Sequence, residues 1–469
     1  MKIIPNLGRV AAAVTFSVSL ALPAAADSLA DAMVSAYRSS ALIEQNRAVL
    51  RAADEDVASS VAQLRPVLQW VASHQISRTE GNHGSIRSSS LMIGAEIPLY
   101  DWGRSQLAID AAKEQVLATR QALVGIEQDV LLQATNAFFS VRQATEQVAL
   151  QENSVRVLGQ ERQAAQDRFD VGEITVTDVS LAEARLAASR AALAAAEGDL
   201  EVAQEQYLAA TGKQPGTLAA PPPLPTLPAN VEAARAVAQK NHPAIKQAQR
   251  MAAAAELGVA AAGAERNPNL SANAQVGVGR DYERDTFTGS GDYETRGTAS
   301  VGLELSQTIY SGGRLPAEHR KAMASRDEAR AVLLNTARDV NEQVGTAWAN
   351  ISVAGAQLGA IDEQIAAAQQ AYEGVREEAQ LGARTTLDVL DAEQSLLEAR
   401  ADKISAEANL QLAHYQLLAA MGLLTVEDLK LGIPTYDPSE YYKSVRDAPY
   451  TSKQGESLDR VLRAIGREN

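Results

Sequence analysis

The hydrophobic and polar positions of this chain change period several times along its length, and they do so twice in the same order. Residues 28–64 and 230–265 carry Ala-rich helical patterns, the second interrupted by Pro243, and Pro66 or Pro268 follows each end. Strict alternation follows. Leu91, Ile93, Ala95, Ile97 and Leu99 share one face, with Ser90, Met92, Gly94 and Glu96 on the other. Ala299, Val301, Leu303 and Leu305 oppose Ser300, Gly302, Glu304 and Ser306 in the same way. The runs Val67–Ile76 and Leu270–Val278 alternate less cleanly, so two strand pairs are predicted, over 67–99 and 270–309. The Gly-containing segments Ser77–Ser89 and Gly279–Gly297 are expected as exposed hairpin loops.

Beyond each strand pair the period returns to that of a helix. Arg104 to about Phe169 and Arg314 to about Ala379 are long helices, free of proline except Pro316 in a first turn, where proline is tolerated. At 1.5 Å per residue, ~65 residues reach roughly 95 Å, well beyond an ordinary globular helix. Gly172 and Gly382 suit the left-handed position after each helix. Second helices return over Asp178–Ala210 and Asp388–Ala420, placing hairpin tips near 172–178 and 382–388.

The duplication is visible residue by residue at an offset of 210. Gly172, Thr175, Asp178, Val179, Ala182, Glu183 and Leu186 meet Gly382, Thr385, Asp388, Val389, Ala392, Glu393 and Leu396. Tyr100, Gly103 and Arg104 meet Tyr310, Gly313 and Arg314. Upstream the offset falls to 202, where Arg65-Pro66 answers Asn267-Pro268. The chain therefore divides into a first repeat (27–214), a Pro-rich extended linker (215–229), a second repeat (230–422) and a C-terminal segment (423–469).

Residues 1–26 read as a secretory signal peptide: Lys2 and Arg9, an apolar Val10–Leu22, then Ala24-Ala25-Ala26. Four amphipathic strands in an exported chain need their edges covered, which points to a share of a membrane barrel. Closure then takes two, three or four copies. A periplasmic coiled coil bearing two hairpins is the plainer alternative.

Composition narrows the field. The 469 residues contain no Cys and only 4% aromatics, with 43 basic against 58 acidic side chains. Disulfides, Cys-ligated metals and thioether lipid anchors are thereby excluded. A net charge of −15 argues against a duplex nucleic-acid partner. His74, His83, His242, His319 and His414 are scattered without ligand spacing, and neither a phosphate loop nor a nucleophilic triad is visible, so no enzyme activity, metal or cofactor is expected.

The signatures Leu99-Tyr100-Asp101-Trp102-Gly103-Arg104 and Ile309-Tyr310-Ser311-Gly312-Gly313-Arg314 accompany the duplicated Gly-x-x-Thr-x-x-Asp turns. On these the mature chain resembles the TolC family of outer-membrane channels. The resemblance implies a fold of two parts: an all-α barrel of long helices joined to a transmembrane β-barrel, made as a homotrimer of twelve strands and twelve helices. It implies an outer-membrane exit duct that takes proteins or small molecules from an inner-membrane transporter, ABC or proton-driven, through a periplasmic adaptor protein. A dedicated multidrug or metal efflux channel is the alternative. The tail from Tyr436 to Asp447 resembles that of members grouped with type I secretion.

Thr175/Asp178 and Thr385/Asp388 fit the capping-box spacing. Asp391, whose counterpart is Leu181, lies outside it. Asp388 and Asp391, three apart, share a helix face, and threefold symmetry would gather six carboxylates into a cation-selective ring. The resemblance places the family's entrance aspartates at these two positions. It also makes Arg384, Thr177 and Asp178 partners in the links that hold the tunnel closed, with Ala379 standing where a linking aromatic is found in the best-known member.

Overall fold

A computed structural model describes residues 27–78, 85–284, 291–449, 456, 457 and 460; the expected signal peptide lies outside them. Two short helices, α1 (Leu29–Ser39) and α2 (Ala41–Ala62), lead into β1 (Val67–Arg78) and β2 (Ser85–Tyr100). The hairpin α3 (Arg104–Asp170) and α4 (Val176–Thr211) follows. The second half repeats this with α5 (Val231–Asn241), α6 (Pro243–Ala264), β3 (Asn269–Arg284), β4 (Gly291–Ser306), α7 (Arg314–Gln380) and α8 (Thr386–Ala420), before a terminal α9 (Pro438–Val445). Among the described residues no helix is long and apolar enough to cross a membrane.

The first helical segment breaks at Ser40, which the sequence pattern did not predict. Ser40 ends α1, and its side chain accepts from the Ile43 N–H to start α2. His242 does the same between α5 and α6, accepting at Nδ1 from the Ala244 N–H. The two positions are equivalent in the repeat. Only the second break is marked by a proline, because Ala41 stands where Pro243 follows His242.

The four strands form one antiparallel sheet in the order β1-β2-β3-β4. Register rows such as Trp70–Ile93–Val276–Ala299 and Leu68–Ala95–Ala274–Val301 place apolar side chains on one face. The rows between, such as Gly94–Gln275–Ser300 and Glu96–Asn273–Gly302, are small or polar. The apolar face is bare: Val301 is 86% and Leu303 72% exposed. Each outer strand is paired on one side only.

The strands run further into the expected loops than their composition suggests. Ser85–Ser90 and Gly279–Arg284 are paired strand, and only 79–84 and 285–290 separate the partners. Polar cross-strand contacts replace apolar ones there: Ser73 with Ser90 (2.8 Å), His74 with Ser89 (2.9 Å), and the Tyr282 and Tyr293 rings at 4.9 Å with Arg280 over Tyr293. At the other end β4 stops at Ser306, short of the expected 309, where Gln307 turns to donate to the Arg266 carbonyl (3.1 Å).

Strand passes to helix through consecutive left-handed residues, Trp102 (φ 52°) and Gly103 (φ 84°) in one copy, Gly312 (φ 64°) and Gly313 (φ 93°) in the other. Asp101 accepts from the Gly103 and Ser105 N–H groups (3.1 and 2.7 Å), and Ser311 accepts from the Leu315 N–H (3.2 Å). Arg104 and Arg314 then lie against Glu265 (3.5 Å) and Glu318 (2.8 Å).

The helices α3 and α7, 67 residues each, extend about 100 Å at the α-helical rise. Their main core lies midway, where α1, α5 and the chain after α8 gather around Leu131, Phe138, Tyr207, Val344 and Leu417. The Pro-rich segment has no helix. It is held by Asp27, which pairs with Leu218 as an isolated bridge and meets Lys213 at 2.8 Å. Helix α9 rests on α2 and α3: Tyr441 donates to Glu55, and Tyr442 lies under the Arg120 guanidinium.

Candidate gate at the hairpin tips

Both tips are built by one backbone device. After α3, Gly172 (φ 81°) donates to the Phe169 carbonyl and Glu173 to that of Arg168. After α7, Gly382 (φ 77°) donates to Ala379 and Ala383 to Glu378. The bond that reaches back five residues closes the helix end, and glycine alone takes the left-handed turn without a Cβ penalty.

Each return helix opens with a complete capping box. Asp178 accepts from Thr175 N and Oγ1 (3.0 and 2.8 Å); Asp388 accepts from Thr385 N and Oγ1 (2.9 and 2.8 Å). These bonds favour the ionised acids. The Thr175 hydroxyl chiefly holds Asp178 below the usual carboxylate range, and the Thr385 N–H chiefly does so for Asp388. Thr177 is exposed at the second position of α4.

Charge at the tips is inverted between the copies. Arg168 pairs with Glu173 (3.3 Å), whereas Glu378, at the position of Arg168, pairs with Arg384 (2.9 Å). Within one chain Arg384 therefore meets Glu378, and the structure does not bring it to Asp178. Ala379 is buried in the α7–α8 seam with Tyr372, Val389 and Leu396.

Among the described residues two ion pairs join the hairpins to each other, and neither was evident from sequence. Arg185 of α4 donates to Asp391 of α8 at 2.7 Å, and Arg376 of α7 stands 3.6 Å from Glu161 of α3. The four residues are not shared between the copies: Arg185 faces Ser395 in the alignment, and Glu161 faces Ala371. A search for repeated residues passes over them, and their contacts span more than two hundred positions.

The sheet, the long hairpins and the paired tips match a known class. The sequence model of the family described as outer membrane efflux protein matches residues 33–213 and 235–423. The outer membrane efflux protein BepC of Brucella suis biovar 1 is 34% identical over 442 residues, 93% of this chain and 95% of its own length. The outer membrane protein TolC of Escherichia coli K12 is 24% identical over 399 residues, covering 81% and 78%. In three dimensions the chain superposes on CusC with a TM-score of 0.73 at 19% identity, covering 85% of this chain and 92% of that one. It superposes on VceC of Vibrio cholerae with 0.70 at 20%, covering 84% and 96%.

The chain belongs to the outer membrane efflux protein family. It is an exit duct of export systems in the Gram-negative outer membrane, with its helical tunnel in the periplasm.

Proposed function

We propose that three copies close this duct, giving a twelve-stranded barrel over a twelve-helix tunnel. The observation that carries the proposal is the four-stranded sheet, with two half-paired outer strands and a bare apolar face, continuing directly into 67-residue helices. A lone sheet of this kind exposes strand edges, and three related by rotation pair every edge while turning the apolar face to lipid. The repeats 27–214 and 230–422 each supply one hairpin of the wall, 215–229 links them, and residues 423–449 begin the outer belt.

An inner-membrane transporter, ABC or proton-driven, delivers proteins, small molecules or both through a periplasmic adaptor. At the entrance, Asp388 and Asp391 of three chains form the cation-selective ring. Arg384 latches to Thr177 and Asp178 of a neighbouring copy when it leaves Glu378. The distinguishing experiment is fractionation followed by unheated and heated denaturing electrophoresis. A heat-sensitive band at three times the chain mass in the outer-membrane fraction is expected; a monomer or dimer there overturns the trimer.

A further inference from the structure

The surroundings of Glu393 in α8, near the tips, favour its neutral form. It is 8% exposed, and its Oε2 meets no hydrogen-bond donor among the described residues. It lines a cavity of about 250 Å³ between the hairpins, together with Gln151, Ser154, Arg185, Ser189 and Leu390. Gln151, 9% exposed, turns a second unpartnered acceptor, Oε1, into the same seam.

The repeat shows what Glu393 lacks. Its counterpart Glu183 is exposed and has Arg162 at 3.9 Å; at the position of Arg162 the second copy carries Tyr372. Facing Glu393 from α3 is Glu161, a second acid. From α7 come Tyr372, whose hydroxyl burial pushes away from ionisation, and Arg376, engaged with Glu161. From α4 comes Arg185, engaged with Asp391 of α8 itself. Among the described residues, the two cations facing Glu393, Arg185 and Arg376, are each engaged with another acid, and Glu161 repels an ionised Glu393.

We propose that Glu393 is a proton-operated switch on closure of the duct: as the neutral acid it seats in the seam between the two hairpins, and its ionisation admits water and loosens that seam. The proposal rests on the reading that separation of the hairpins opens the tunnel. Burial, and then the Glu161 charge, push the Glu393 carboxyl up from 4.5 to about 7. Because the raised value belongs to the packed state, closure is fully favoured below 4.5 and is lost as pH rises through about 7.

The test uses the full-length protein in planar bilayers and, in parallel, amide hydrogen exchange of residues 386–397 corrected for the intrinsic pH dependence of exchange. In wild type the closed-to-open ratio is expected to fall at least ten-fold between pH 5 and pH 8. In Glu393→Gln it stays near its acid value at both. Exchange over 386–397 quickens at pH 8 in wild type alone, and Glu161→Gln moves the wild-type transition to lower pH. Identical pH profiles for wild type and Glu393→Gln overturn the switch. Should neither protein form pores, the duct reading fails, and the exchange comparison alone upholds or overturns the switch.

Discussion

Arg185 Nη2 lies 2.7 Å from Asp391 Oδ1, joining α4 of the first hairpin to α8 of the second inside one chain. The two side chains are about half exposed, so the pair adds only ~0–1 kcal/mol to stability. Its consequence is electrostatic: each Asp391 offered to the proposed entrance ring carries a cation beside it. Arg185→Met is expected to raise the cation-to-anion permeability ratio about two-fold or more, measured from reversal potentials in a salt gradient. An unchanged or lower ratio would remove Asp391 from the ring.

Arg384 spends its charge on Glu378 within the chain. If it also latches a neighbouring copy, Arg384→Ser raises the open fraction of single channels roughly three-fold or more, because three equivalent links are lost together. Conductance traces and antibiotic leakage indistinguishable from wild type would leave Arg384 as a neighbour of the α8 cap and nothing more.

The capping boxes predict a local effect. Thr175→Val removes the hydroxyl that bonds Asp178, destabilising the first turn of α4 by about 1 kcal/mol. Hydrogen exchange should quicken over 176–180 and stay unchanged along α3. In wild type, Asp178 is held below its ordinary value, so its contribution is present above about 4 and is lost as pH falls through its lowered value.

Asp54 behaves in the opposite sense. It is fully buried in α2, both its oxygens lack hydrogen-bond donors among the described residues, and Arg120 approaches only to 4.0 Å. Burial pushes its carboxyl up to about 6, against the pull of Arg120. Its contribution to stability is therefore greatest below the ordinary carboxylate value and falls as pH rises through about 6. Asp54→Asn is expected to gain about 1–3 kcal/mol at pH 8 and nothing at pH 4, read from thermal unfolding. A loss at pH 8 would show that Arg120 pairing outweighs desolvation.

Much of the fold was legible because the chain states it twice. Ala-rich periods, alternating strands and the Gly-x-x-Thr-x-x-Asp turns placed the long helices to within about two residues of their observed ends. What escaped were features carried by one copy or by polar residues. The break at Ser40 lacks the proline that follows the equivalent break at His242. The strand ends around Ser88–Ser90 are held by hydroxyl and ring contacts, which leave no apolar alternation to follow. At the tips, the Thr385–Asp388 capping box was legible from its spacing, whereas the contacts of Arg185 and Glu161 and the burial of Glu393 depend on how one hairpin lies against the other, a relation that no local spacing encodes.

The entrance ring is the central functional claim, and paired substitution tests it most directly. Purified wild type and Asp388→Ala/Asp391→Ala are compared in planar bilayers for ion selectivity and for block by multivalent cations. The ring predicts that the double substitution lowers cation selectivity and weakens block by about ten-fold or more. Selectivity and block equal to wild type would contradict it.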